Sequence, residues 1–508
     1  MASRRDELNA YTFAKRRTLA SFLQPSPSGS EEGAPKPLRA VVPGVIVGTV
    51  VLAVFGAWGM FKPTAPPGWD ALHKNVIVAS KSTTRYVVLE TKGKKQLHPV
   101  LNMASAKLLV DPSDNPPVTV SEDVLDNGTI PHGATIGIPY APDRLPSAAE
   151  AGAAKRWAVC ERPADGGRAI QKAAFVLAKR DLRKTEGREK LRGGDLMYVV
   201  GPDKAEYVVD AHGTAFPIDP RSQDREQLLR ALGIDAPGGQ KPERVSRDWL
   251  DTLNKGEQIA FPAFPVTPGT AAGTNSTLSD TANRVGMVLK APGQYYVVLP
   301  GKVAPVTDFT AHLILGNPAL GNLSQHGEPY KVGPGDITAG QSFGPAGWPK
   351  DEPKTVNEAT TTAGSRNTVC NVLDKVDPDN GATTLSTWSG KNFPAPLPVG
   401  SSSAYVTAGS GQLYRQFAGT ATGDGPTFLV TDTGLRYAMQ SNSDNGAGDT
   451  GIGATAKERA AQRQQAGQAK TRLGYEHVRE TPIPVAWSQF LPTGPRLSWT
   501  AARQPQGS

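Results

Sequence analysis

The chain has 508 residues, enough for several domains at about 100–200 residues each. Its 54 glycines, 44 prolines and 7% aromatic content point to an α+β, β-rich protein of short strands and turns rather than a bundle of long helices. The net charge of +8 is dispersed, with seven basic and four acidic residues in positions 1–40, so no basic stripe with interleaved aromatics forms and nucleic-acid binding finds no support.

Residues 3–23, SRRDELNAYTFAKRRTLASFL, read as a helix. Ser3 is placed to cap it, and Asp6 and Glu7 follow in the first turn. Leu8, Tyr11, Leu19, Phe22 and Leu23 fall near one face, which Lys15 interrupts. A basic amphipathic helix of this kind docks on a partner, lies on acidic headgroups, or only sets topology by its charge. Residues 24–38 form a Pro/Ser/Gly-rich linker.

The run Val41–Phe61 carries no charge and is long enough to span the ~30 Å hydrocarbon core as a helix. Pro43 and Gly44 are expected in its first turn. It is too long and starts too late for a cleaved signal. The basic residues ahead of it favour a cytoplasmic N-terminus, leaving everything after Lys62 outside. Gly44 and Gly48 make a small-xxx-small face suited to a helix contact, although glycine is common in membrane helices in any case.

After a linker at 62–82, a loose repeat emerges in four copies: 83–110, 194–219 with 225–234, 286–315, and 411–439. Each has an aromatic-led strand, a glycine turn and a second short strand. The first strands are Tyr86-Val87-Val88, Tyr207-Val208-Val209, Tyr296-Val297-Val298 and Phe428-Leu429-Val430. The turns hold Gly93, Gly213, Gly301 and Gly434, and a helix is expected after the hairpin in the first two copies. The copies are spaced irregularly, so a central core made of several chain passes (118–140, 156–193, 257–262 and 366–406) is expected, with the repeats projecting from it. The resulting division is 83–115, 194–235, 286–316 and 407–491 for the repeats, and 116–193, 236–285 and 317–406 for the core. Residues 441–451 are a loop by composition, 456–470 a polar helix, and the tail 492–508 is expected to be unfixed unless a partner orders it.

The two cysteines, Cys160 and Cys370, sit in similar strand-like contexts 210 residues apart. A disulfide is favoured in an oxidising compartment, with a metal pair or two buried thiols as the alternatives.

No catalytic motif is present. The Gly-Lys pairs at Gly93, Gly301 and Gly390 lack the upstream glycine and following Ser/Thr of a Walker A loop. The seven histidines show no HExxH spacing, and GNLSQHG around Ser324 is not a nucleophile elbow. Asp374, Asp377 and Asp379 lie in a turn-rich segment, as solvated carboxylates or a calcium site. No cofactor, metal or catalytic residue is expected, and the protein reads as a non-enzyme.

The start RRDELNAYTFAKRRTLASFL, the single anchor after it, the repeats around a disulfide-bearing centre, and FLPTGPRLS at Phe490–Ser498 together resemble EccB, a membrane component of type VII (ESX) secretion systems of actinomycetes. Arg5, Asp6, Glu7, Ala10, Phe13, Arg16 and Arg17 match the family's N-terminal pattern, except that Glu7 stands where Gln is usual. The resemblance covers essentially the whole chain. It implies a single-pass inner-membrane subunit that scaffolds the export machinery for WXG100-type substrates. Its implied partners are an EccC-type ATPase, an EccD-type channel, an EccE-type subunit and a MycP-type protease. It further implies an elongated, propeller-like outer domain that forms homo-oligomers. Arg5, Asp6, Phe13, Arg16 and Arg17 are then the partner-binding residues of the cytosolic helix. Some family members are described as ATPases, for which this sequence offers no nucleotide loop. An outer-surface hydrolase and a wall-binding repeat protein are the competing readings.

Overall fold

The structure, a computed structural model, describes residues 4–23, 38–61, 65–112, 116–164, 169–234, 241–323, 325–357, 366–397, 403–439, 464 and 466–506. Of the expected linker at 24–38, residues 24–37 lie outside the described residues, as do the cap Ser3, Ser324, the loop at 441–451 and positions 456–463 of the expected polar helix. The chain divides into two units, Met1–Ala65 and Pro66–Ser508.

The N-terminal unit holds two helices, Arg4–Leu23 and Leu38–Phe61. The second contains an apolar stretch, Ala40–Trp58, long enough to cross a membrane. It begins before the uncharged run does, so Pro43 lies inside the helix rather than in its first turn. A proline there removes one backbone hydrogen bond and makes this the natural place for a bend.

The C-terminal unit is built from five sheets. Four of them share one plan. Three antiparallel strands form a meander, a helix follows, and the chain then returns in parallel along the edge of the first strand. It next touches the edge of the third strand, also in parallel.

In the first sheet the meander is Val76–Ala79, Arg85–Thr91 and Lys94–Val100, the helix is Met103–Leu109, and the return strand is Val118–Val120. In the second these are Asp195–Val200, Glu206–Val209 and Thr214–Ile218, then Arg225–Ala231, then Glu243–Arg244. In the third they are Val288–Ala291, Gln294–Leu299 and Lys302–Val306, then Asp308–Leu315, then Tyr330–Lys331. The fourth has Gly411–Phe417, Thr427–Thr431 and Arg436–Ala438, a helical stretch at 466–472, and Thr481–Pro484. The far-edge contacts are His132 on Leu97, the strand Asn254–Lys255 on Thr214 and Ala215 with Ile259 on Ile218, Ala339 on Val303, and Thr493 on Arg436.

This topology moves several expected boundaries. The aromatic-led segments are the middle strands of three, not the first, and the strand Val76–Ala79 falls in what read as linker. The return strands at 118–120, 243–244 and 330–331 lie beyond the expected repeat ends at 115, 235 and 316. Segments 118–140 and 257–262 edge the first and second sheets instead of joining the central sheet. Strands of two or three residues show no alternation, and parallel pairs join residues far apart in sequence, so neither leaves a local signal.

The turn glycines Gly93, Gly213, Gly301 and Gly434 all have φ between +71° and +79°. Gly213 is also held by packing, because a Cβ there would stand 2.7 Å from that of Leu385.

The fifth sheet is central, in the order Thr383–Gly390, Thr368–Val376, Arg156–Pro163, Ile170–Leu177, Ala404–Val406. Only its last pair is parallel. One face, with Trp157 and Val159, shares a core with Val199 and Trp249 of the second sheet's segment and with Tyr414 and Trp487 of the fourth. A second core joins the first and fourth sheets, and a third joins the second and third. The packing order is therefore first, fourth, central, second, third. No sheet closes on itself among the described residues.

The tail departs from expectation. Leu497 and Ala502 are fully buried in the core shared by the first and fourth sheets, Pro505 bridges Ile136, and the Gln506 N–H donates to Thr135 at 2.9 Å. Small apolar residues at 497–502 find a surface in this chain itself, so no partner is needed to order them.

Candidate functional site

The N-terminal helix carries two faces. At about 100° per residue, Arg5, Asp6, Phe13, Arg16 and Arg17 share an arc of about 120°. The opposite side holds a shallow groove lined by Tyr11, Ala14, Lys15, Thr18, Leu19 and Phe22. These five residues thus share one side, off which Glu7 of the family pattern falls, while Leu8, Tyr11, Leu19 and Phe22 share another and Leu23 lies in line with Arg5. Phe13, 67% exposed, is the aromatic of the charged side. In the second helix, a Cβ added at Gly44 or Gly48 would meet no atom within 4 Å, so both positions present bare backbone to whatever lies alongside.

In the C-terminal unit, Cys160 and Cys370 are paired across adjacent antiparallel strands and joined by a disulfide. Both are fully buried, on the face that holds Phe175 and Trp388. The bond fastens the middle strand of the central sheet to its neighbour Thr368–Val376, from chain segments 210 residues apart.

Trp157 projects from the other face. Its indole N–H donates to the Gln412 side-chain oxygen at 2.8 Å, and its ring meets Tyr414 edge-on at 5.2 Å. Behind Tyr414, the Arg436 guanidinium is buried. It donates to Gln416 and Ser488, each at 3.0 Å, and lies 5.1 Å over Phe428.

The junction between the central and second sheets holds two buried carboxyl groups. Glu161, on the central strand Arg156–Pro163, accepts from the Ser246 backbone N–H at 2.7 Å and from its hydroxyl. Lys172 stands 4.0 Å away and pairs with Asp248 at 2.6 Å. Burial raises the Glu161 pKa, against the opposing Ser246 bonds and Lys172. Glu243 is 2% exposed, and its Oε2 has no hydrogen-bond partner. Burial pushes its pKa up to about 8. The adjacent backbone and Arg244 act against this, and Glu161 adds to it. Neither residue stood out in the sequence, because two strands 82 positions apart converge only after folding.

Other ionic clusters are structural. Glu480 is raised by burial but drawn lower overall by Arg415 at 2.7 Å and Lys470 at 3.1 Å. Asp374 pairs with Arg156 at 2.9 Å, and the Asp377 side chain accepts from the Asp379 N–H. Among the described residues no group of three or more His, Cys, Asp or Glu is arranged to hold a metal ion. Gly93-Lys94 and Gly301-Lys302 form hairpin turns, and Gly390 ends a central strand. None opens a helix, which is where a phosphate cradle must lie.

The family model described as "Type VII secretion system ESX-1, transport TM domain B" matches residues 1–507. The protein named ESX-3 secretion system ATPase EccB3 of Mycobacterium tuberculosis is 26% identical over 492 residues, covering 91% of this chain and 81% of that protein. The one named ESX-1 secretion system ATPase EccB1 of Mycolicibacterium smegmatis is 30% identical over 278 residues, 54% and 53% of the two chains. Among solved structures, a chain of an intact ESX-5 inner membrane complex aligns with a TM-score of 0.57 at 20% identity, covering 100% of this chain and 96% of that one. The EccB3 dimer from the ESX-3 core complex gives 0.53 at 21%, covering 85% and 100%.

Proposed function

The chain belongs to the EccB family of type VII secretion systems, and from that premise we propose that it is a structural subunit that ties the export machinery together across the inner membrane. The observation that carries this reading is the division of the chain: two helices with exposed side chains precede a large unit that satisfies its own core. The apolar helix is the single anchor, with the N-terminus in the cytoplasm and the C-terminal unit outside.

The charged face of the first helix (Arg5, Asp6, Phe13, Arg16 and Arg17) binds a cytosolic or membrane partner, and Gly44 and Gly48 admit a neighbouring transmembrane helix. EccC-, EccD- and EccE-type subunits and a MycP-type protease are the partners the family membership suggests. The C-terminal unit associates with further copies of itself, its four sheet units, two on either side of the disulfide-bearing sheet, making an elongated, propeller-like body. The relatives carry ATPase in their names, but this chain places its Gly-Lys pairs in turns and strand ends. We assign nucleotide hydrolysis to a partner.

The test is gentle detergent extraction of native membranes, purification through a C-terminal tag, and mass spectrometry of the intact assembly. Recovery in a large particle with a separate motor ATPase is expected. Recovery as a lone monomer overturns the reading.

A further inference from the structure

The short segment from Glu243 to Thr252 joins the second sheet to the central one, and it is fastened on both sides. On the second sheet, Glu243 and Arg244 pair in parallel with Val199 and Val200, and the Val245 N–H donates to Val200 at 3.0 Å. On the central sheet, Ser246 donates twice to Glu161, the Trp249 indole N–H donates to the Val159 carbonyl at 3.2 Å, and the Thr252 carbonyl accepts from Asn371 at 2.7 Å. Val245 and Trp249 are buried in the core shared by the two sheets.

One group in this joint is mismatched. Both oxygens of Glu161 accept hydrogen bonds, so Glu161 is the residue set up to carry a negative charge. Glu243 is buried near it with an oxygen that has no partner. A second carboxylate there would face the first in a low-dielectric setting, with one of its oxygens left without a donor.

Of the charged groups around Glu243, Arg244 opposes this, and burial outweighs it. On the central strand they are Glu161 and Arg162, and on the neighbouring strand Lys172, which is taken by Asp248. Arg247 on the helix Arg247–Leu250 reaches Asp203 at 3.6 Å, and Glu206 on the second sheet is held by Arg225 at 2.6 Å. Lys241 and Arg244 flank Glu243 in the chain. The strand Asp195–Val200 places only Val199 and Val200 opposite it.

We propose that Glu243 is a proton-operated latch: with a proton on its carboxyl the 243–252 segment stays docked between the two sheets, and loss of that proton to solvent releases it. The sign follows from burial. A carboxyl whose value in the docked state lies above its ordinary one favours docking while protonated. Docking is therefore strongest below the ordinary carboxylate range, weakens as pH rises through neutrality, and reaches its floor above about pH 8. An acid outer face tightens the joint, and a neutral or alkaline one loosens it.

The experiment is hydrogen–deuterium exchange on the full-length chain in detergent at pH 6 to 9, with rates normalised for intrinsic amide chemistry. Protection of amides 244–252 in the wild type is expected to fall by on the order of 10–100-fold over that range, at most tenfold per pH unit. Amides of the third sheet are expected to stay unchanged. Glu243→Gln, which keeps the shape and removes the ionisation, is expected to hold the protection flat. Asp248→Asn, at the exposed rim, is expected to leave the step in place. A flat wild-type profile, or a step that survives Glu243→Gln, overturns the proposal. So does a step abolished by Asp248→Asn, which would assign the titration to the Lys172–Asp248 pair.

Discussion

In the N-terminal unit every described side chain of the two helices is exposed, whereas in the C-terminal unit Trp157, Trp249, Trp487, Tyr414 and Tyr475 are almost completely buried. The exposed set includes Tyr11, Phe13, Phe22, Phe55 and Trp58, side chains as apolar as many in the core. Both regions spend hydrophobic residues, but only one spends them on itself. The first unit leaves its apolar side chains exposed, as a bilayer or a neighbouring protein would require, while the second buries most of its own. The difference predicts which mutations will be read as lost stability and which as lost assembly.

The largest stability effect is expected from Trp157→Ala, which empties the space between the central and fourth sheets and leaves the Gln412 side-chain oxygen without its donor. A loss of about 3–5 kcal/mol is expected, seen as a lower midpoint in thermal or denaturant unfolding. Replacing both Cys160 and Cys370 by Ala should cost about 2–5 kcal/mol, since the bond closes a very long loop. If unfolding is unchanged in reducing agent, the central sheet is not the fastening point of this unit.

Glu480→Gln comes next. It removes the carboxylate that serves both Arg415 and Lys470 and should cost about 1–3 kcal/mol. Because the Glu480 pKa lies below its ordinary value, this stabilisation is complete above the ordinary carboxylate range and is lost as pH falls through the lower folded value. The wild type should therefore lose stability faster than the variant as pH drops below about 4.5.

The smallest effects on unfolding should come from Phe13→Ala and Gly48→Leu, each within about 0.5 kcal/mol of the wild type. Phe13 is exposed, and a Cβ at position 48 would meet no atom within 4 Å. Both variants should instead be depleted from the large assembly in a native-size separation. A lowered unfolding midpoint in either would erase the distinction between the two regions.

The turn glycines at 93, 213, 301 and 434 could be located from sequence because a two-strand hairpin is a local event: a β-former run, a residue able to take positive φ, and another run. The cysteines drew attention for a similar reason, being the only two in the chain. The return strands and the far-edge contacts escaped notice because each is one to four residues long and pairs with residues dozens of positions away. The tail misled because proline and glycine content describes a segment's own preferences and not the surface waiting for it.

What the sequence determined by itself is the set of properties that depend on neighbours along the chain. These are a charged first helix, an apolar run long enough to span a bilayer, a recurrent hairpin with its glycine, and a pair of cysteines able to join distant segments. What only the tertiary structure decided is which distant pieces meet. It placed the fourth sheet between the first and the central one, docked the tail in the core shared by the first and fourth sheets, and brought Glu243 against Glu161. Local preferences are set by backbone geometry within a few residues, whereas a buried carboxyl acquires its behaviour from the dielectric and charges that folding assembles around it.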